Sequence, residues 1–102
     1  MLDNERVLRE MARTAIRRGK LPSRRPDRTF SGSGTRVVCS VCKELVTSDQ
    51  TEMEIEFRRH GMQPGSDRHF LHVRCLAAWE FERTKIDVVT TGVDSWPVGP
   101  GG

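Results

Sequence analysis

"VVCSVCKELV", residues 37–46, sets two cysteines two residues apart in a chain of 102 residues that has only one more. The third stands in "HVRC", residues 72–75, where His72 and Cys75 repeat the same gap. The chain therefore offers Cys-x2-Cys, then residues 43–71, then His-x2-Cys, which uses every cysteine and one histidine. Zinc favours four tetrahedral ligands, and three Cys with one His is among its common closed sets. A short Cys-x2-Cys turn points both sulfurs at one ion, and residues at i and i+3 share a face of a helical turn. Cys39, Cys42, His72 and Cys75 are thus the expected ligands of one Zn2+ per chain.

Other readings of the cysteines fit less well. Buried structural thiols have no reason to fall into two equally spaced pairs. A thioredoxin-like redox pair would sit in a βαβ pattern, which is missing around Cys39 and Cys42. Iron–sulfur ligation by this donor set is rarer than zinc. The first twenty residues are charged and lack the apolar stretch of a secretory signal, so a cytoplasmic protein is the expectation, and an odd cysteine count in a reducing compartment argues against a disulfide framework. His69, three residues before His72, is the competing fourth ligand, but it falls on the preceding strand, away from the turn that carries Cys75. His60 reads as a solvated loop histidine.

Working outward, "TEMEIEF" (51–57) alternates Met53, Ile55 and Phe57 with Glu52, Glu54 and Glu56, the pattern of a half-buried strand. "RRHGMQPGSD" supplies loop residues, and "RHFLHV" can return as a second strand. "VRCLAAWEFERTK" reads as a helix of about three turns. The expected body, residues 36–88, is a small α+β zinc-binding domain in treble-clef-like order: zinc knuckle, β-hairpin, helix. The Gly- and Pro-rich residues 89–102 read as a disordered tail.

The N-terminal part has a different character. Residues 1–36 hold ten Arg or Lys against four Asp or Glu, a net charge of +6, whereas the remainder carries −3. Residues 1–20 read as a basic amphipathic helix. Asp3 or Asn4 can cap it, Gly19 and Pro22 stop it, and Val7, Leu8, Met11, Ala12, Ala15 and Ile16 form one apolar stripe. Arg9, Arg13 and Arg17 follow one another at intervals of four on another row. Residues 21–35, rich in Pro, Gly and Ser without periodicity, read as a flexible linker. No run approaches the ~20 apolar residues of a membrane span.

The ligand spacing is similar to that of treble-clef fingers of the poly(ADP-ribose) polymerase type, which recognise DNA breaks. The resemblance covers residues 39–81 and is carried by Cys39, Cys42, His72, Cys75, the "ELV" after the knuckle, and Trp79. Over nearly its whole length the chain also resembles a set of short, uncharacterised bacterial zinc-finger proteins. They share an arginine-rich helix ending in "GKLP", a Gly/Ser linker, CxxC, an acidic alternating strand, and HxxC followed by tryptophan. The resemblance implies zinc binding and a bacterial cytoplasmic setting, with no established activity. The acidic "EMEIEF" would repel phosphates, so DNA-break recognition is not carried over.

Three functions compete. A hydrolytic zinc enzyme needs an open coordination position and a nearby general base; four protein ligands close the site, and a solvated strand face accounts for the glutamates. A nucleic-acid-binding protein would use the basic arm, with Arg9, Arg13 and Arg17 tracking phosphates, although Phe30 is its only aromatic for stacking. A non-enzymatic protein-interaction or adaptor module would use the apolar stripe of the N-terminal helix. The last is the primary expectation and nucleic-acid binding the alternative.

Overall fold

The computed structural model describes residues 4–61 and 64–95. Helix α1, Glu5–Arg17, begins where the Asn4 side chain accepts the Arg6 N–H at 2.9 Å. That bond satisfies one of the donors a helix start leaves open. The helix ends at Gly19, whose φ of +73° suits a residue without Cβ. There the Lys20 N–H reaches the Ala15 carbonyl and the Gly19 N–H reaches that of Ile16, the paired closure of a Schellman motif. Leu21, just beyond, is buried.

Three antiparallel strands follow in the spatial order β1-β2-β3: β1 Arg28–Ser33, β2 Thr51–Arg58 and β3 Ser66–His72. The β2–β3 pair is the expected hairpin, with Glu52 opposite His72 and Ile55 opposite His69. Alternation sends Ile55 and Phe57 into the core. The three glutamates instead meet polar groups. Glu52 accepts from the Thr35 N–H and hydroxyl, Glu54 pairs with Arg68, and Glu56 accepts from Ser66.

Residues 21–35, expected as a flexible linker, contribute β1 and are tied down at both ends. The Trp79 indole N–H donates to the Pro22 carbonyl at 2.9 Å. Asp27 accepts the Arg58 N–H at 2.7 Å and the Arg24 guanidinium, bonds that hold its carboxyl below the usual range against a smaller opposing effect of burial. Farther along, Gly34 is buried against the backbone of Val46 and Thr47. All six residues of β1 are exposed. Its pairing is backbone to backbone, so no apolar alternation marks it in the sequence.

Helix α2 spans Val73–Ser95, longer than the three turns expected. It takes in residues 89–95 of the expected tail, because no proline interrupts the stretch before Pro97. Residues 96–102 lie outside the described residues. Helix α1, whose apolar stripe could by sequence dock on its own finger, on a second copy or on a partner, packs on α2, and its Leu8, Ala12 and Ala15 are buried in one core with Leu21, Val46, Ile55, Phe57, Leu71 and Trp79. Between the helices the Arg13 guanidinium meets the buried Glu82 carboxylate at 3.0 Å. The Trp79 ring stands edge-on to Phe57, with centroids 6.1 Å apart. The result is a small α+β domain of two helices and one three-stranded sheet.

Candidate metal centre

Two separate pieces of backbone build the centre. The first is the turn at Cys39–Cys42, which closes a short ribbon. Val38 bridges Leu45, the Arg36 N–H donates to the Val46 carbonyl, the Val46 N–H donates to the Val37 carbonyl, the Cys39 N–H donates to the Glu44 carbonyl, and the Lys43 N–H donates back to the Cys39 carbonyl. Lys43 holds φ +69°, the left-handed step that turns the chain after Cys42. The Ser40 N–H donates to the Phe70 carbonyl at 2.8 Å and docks the turn on β3. The second piece is the junction of β3 and α2. His72 is the last residue of the strand, and Cys75 lies in the first turn of the helix. The two thus share an approach to the site without sharing a helical turn.

These pieces bring together the four residues singled out by spacing. One donor atom from each of Cys39, Cys42, His72 and Cys75 lies within 4.8 Å of the others. The three cysteines are buried and unpaired by disulfides. His72 Nδ1 stands 3.4 Å from Cys42 Sγ and 3.8 Å from Cys75 Sγ. Its Nε2 lies 3.0 Å from the Leu45 carbonyl oxygen. A carbonyl only accepts, so Nε2 carries the proton and Nδ1 keeps its lone pair for the cluster. A carbonyl in this outer position orients a metal-ligating imidazole.

The electrostatics call for a cation. A hydrogen bond from the Cys75 thiol, aided by N–H groups of Cys42, His72 and Val41, brings the Cys39 thiol down to about 4 against the opposing effect of burial. Cys75 is pushed well above the ordinary thiol range, first by that same bond and then by burial and the neighbouring sulfurs. Burial likewise raises Cys42. The arrangement favours the thiolate at Cys39 and disfavours it at Cys42 and Cys75; a cation among the three sulfurs would offset that repulsion.

The other candidates fall elsewhere. His69 lies half-buried on β3, edge-on to Phe57 at 5.8 Å, where burial lowers its basicity against the smaller opposing pull of Asp67. It is not part of the cluster. Three residues along a strand reverse the face, which separates His69 from His72. His60 is exposed. No carboxylate joins the cluster among the described residues. The row Arg9, Arg13, Arg17 is largely engaged within the molecule. Arg9 lies 4.7 Å above the Phe81 ring and within 4.0 Å of Glu5, Arg13 pairs with Glu82, and Arg17 is exposed. Sequence reasoning missed the Leu45 carbonyl and the Glu82 partner of Arg13. The former is a backbone group with no sequence signal; the latter is one acidic residue among several on an exposed-looking helix. No helix among the described residues is long and apolar enough to cross a membrane.

No known family, curated protein or solved structure matches the chain. The resemblance to zinc fingers therefore stands on the four clustered donors and their order along the chain.

Proposed function

We propose that Cys39, Cys42, His72 and Cys75 bind one Zn2+ as a closed structural site in a treble-clef-like domain, and that the protein acts without catalysis as a protein-interaction module. The single observation that carries this reading is the four-donor cluster built from two distant chain segments. A tetrahedral zinc with its usual bond lengths needs S···N separations of about 3.6 Å and S···S separations of about 3.8 Å. The observed 3.4 and 3.8 Å from His72 Nδ1 to two sulfurs match that spacing. When bound, the ion supplies the positive charge that lets all three thiols ionise, and it cross-links the knuckle to the β3–α2 junction. Four protein ligands leave no position for a substrate, which speaks against hydrolysis. Free buried thiols suit a reducing, cytoplasmic setting.

Between protein and nucleic acid as partner, the engagement of Arg9 and Arg13 with α2 favours protein. An arm whose cations are paired within the fold tracks phosphates poorly. Metal analysis of purified protein tests the first half: about one zinc per chain is expected, lost in Cys39→Ser and Cys75→Ser. Capture from nuclease-treated lysate tests the second. Proteins retained after nuclease support an interaction module, whereas binding abolished by nuclease supports the nucleic-acid alternative.

A further inference from the structure

One face of α1 lies at the edge of the core, with Ala15 buried in it and Met11 partly buried against it. Val7, Glu10, Met11, Thr14, Ala15 and Arg18 line a groove of about 460 Å³, whose opposite wall is the knuckle at Val41 and Lys43, with Lys20 at its end. The spacing 7, 10, 11, 14, 15, 18 is that of a single helical face. Val7, Met11, Ala15 and Val41 make an apolar floor. The lining carries three cations, Arg18, Lys20 and Lys43, against one carboxylate, Glu10. All four charged residues are exposed. Among the described residues neither Arg18 nor Lys20 has a carboxylate partner.

We propose that this groove receives an acidic amphipathic segment of a partner protein, with apolar side chains on the floor and carboxylates toward Arg18, Lys20 and Lys43. The proposal rests on the protein-interaction reading above and names its surface and partner chemistry. An apolar floor with a cationic rim fits a helix that shows one greasy and one acidic face. A phosphate backbone would use the rim and gain nothing from the floor, so the floor argues for protein. Val41 lies between two metal ligands and Lys43 follows one. The ion therefore holds one wall of the groove in place, and binding should require metal.

The test uses the zinc-loaded full chain and a labelled helical peptide carrying leucines at i, i+3, i+4 and i+7 with glutamates beside them. A second peptide has lysines in place of the glutamates, and a duplex DNA serves as a polyanion without apolar groups. The expected result is preference for the glutamate peptide. Exposed rim pairs each contribute modestly, so R18Q/K20Q should weaken binding roughly fivefold. Both positions are exposed and neither is a ligand, and a metal assay with a melting curve checks the variant. A measurement on the wild type needs no variant at all: amide shifts on adding the glutamate peptide should concentrate at Val7, Met11, Ala15 and Val41. Equal binding of the two peptides, shifts confined to other surfaces, or stronger binding of the duplex would each overturn the proposal. Capture from nuclease-treated lysate separates the two levels. If wild type and R18Q/K20Q retain the same proteins, the groove fails and the interaction module stands. If wild type retains none, the interaction module itself fails.

Discussion

Acidification should strip the metal steeply, and the slope reports whether the cluster exists before the ion arrives. Zinc binds thiolates, so every thiol that is protonated in the metal-free protein releases its proton on binding. In an unfolded metal-free chain the three cysteines have ordinary values near 8.5, so about 2.9 protons leave at pH 7, and an ordinary imidazole adds roughly a quarter. In a metal-free chain that kept the folded cluster, Cys39 would already be ionised, since its thiol sits at about 4, and only Cys42 and Cys75 would give up protons. The two cases thus predict about three protons or about two. The expected value is about three, because structural zinc contributes an apparent ~10–16 kcal/mol in small fingers, as much as the entire stability of a typical domain. The sign follows from the thiolates. Metal-bound sulfur resists protonation, so the stability it confers is present at neutral pH and is lost as pH falls. With three protons, the affinity near pH 7 changes roughly 1,000-fold per pH unit, or about 4 kcal/mol, and more steeply toward pH 5, where an ordinary imidazole is protonated as well. Competition with a chromophoric chelator across that range gives the slope, and calorimetry in buffers of different ionisation enthalpy counts the protons directly. A yield of two, with helical circular dichroism intact after chelation, would refute the claim that the ion decides folding.

The packing makes further predictions. Leu8 is 2% exposed, so Leu8→Ala should cost about 2–5 kcal/mol in chemical denaturation; a cost below about 0.5 kcal/mol, the range of ordinary surface changes, would mean that α1 does not share the core. A Cβ on Gly34 would press into the Thr47 carbonyl and come within 2.7 Å of the Val46 carbonyl oxygen, whereas one on Gly32 meets nothing within 4 Å. Gly34→Ala should therefore lower stability by about 1–3 kcal/mol and Gly32→Ala by at most about 1 kcal/mol, compared by thermal melting. Lys43 holds a left-handed backbone, so Lys43→Gly should keep full zinc content and a melting point at or above wild type, while Lys43→Val should lower it. Arg13→Gln removes the main partner of the buried Glu82 carboxylate and should lower the melting point, because the buried charge is left without its counter-ion.

The metal cluster was legible because its signal is covalent and local. Cysteine and histidine are the usual donors of a structural zinc site, and a two-residue gap brings paired ligands together in a short turn. The hairpin was legible for a related reason: in "TEMEIEF" burial and backbone period coincide, so the pattern of side chains records the strand. Strand β1 left no such record. "RTFSGS" is exposed along its whole length, and what makes it a strand is the row of free N–H and C=O groups on β2, contributed by residues far along the chain. The role of α1 was hidden likewise. Its apolar stripe and its arginines are plain in the sequence, but a stripe does not name the surface that covers it, nor does an arginine name its counter-ion. Only when β3 turns into α2 at the metal site do Ala78 and Glu82 come to face Leu8 and Arg13. What the sequence determined was the chemistry of the centre and the period of the elements beside it. What the tertiary structure decided was which faces meet, since partners separated by about seventy residues are chosen by the packing of the whole core and not by any stretch of chain within it.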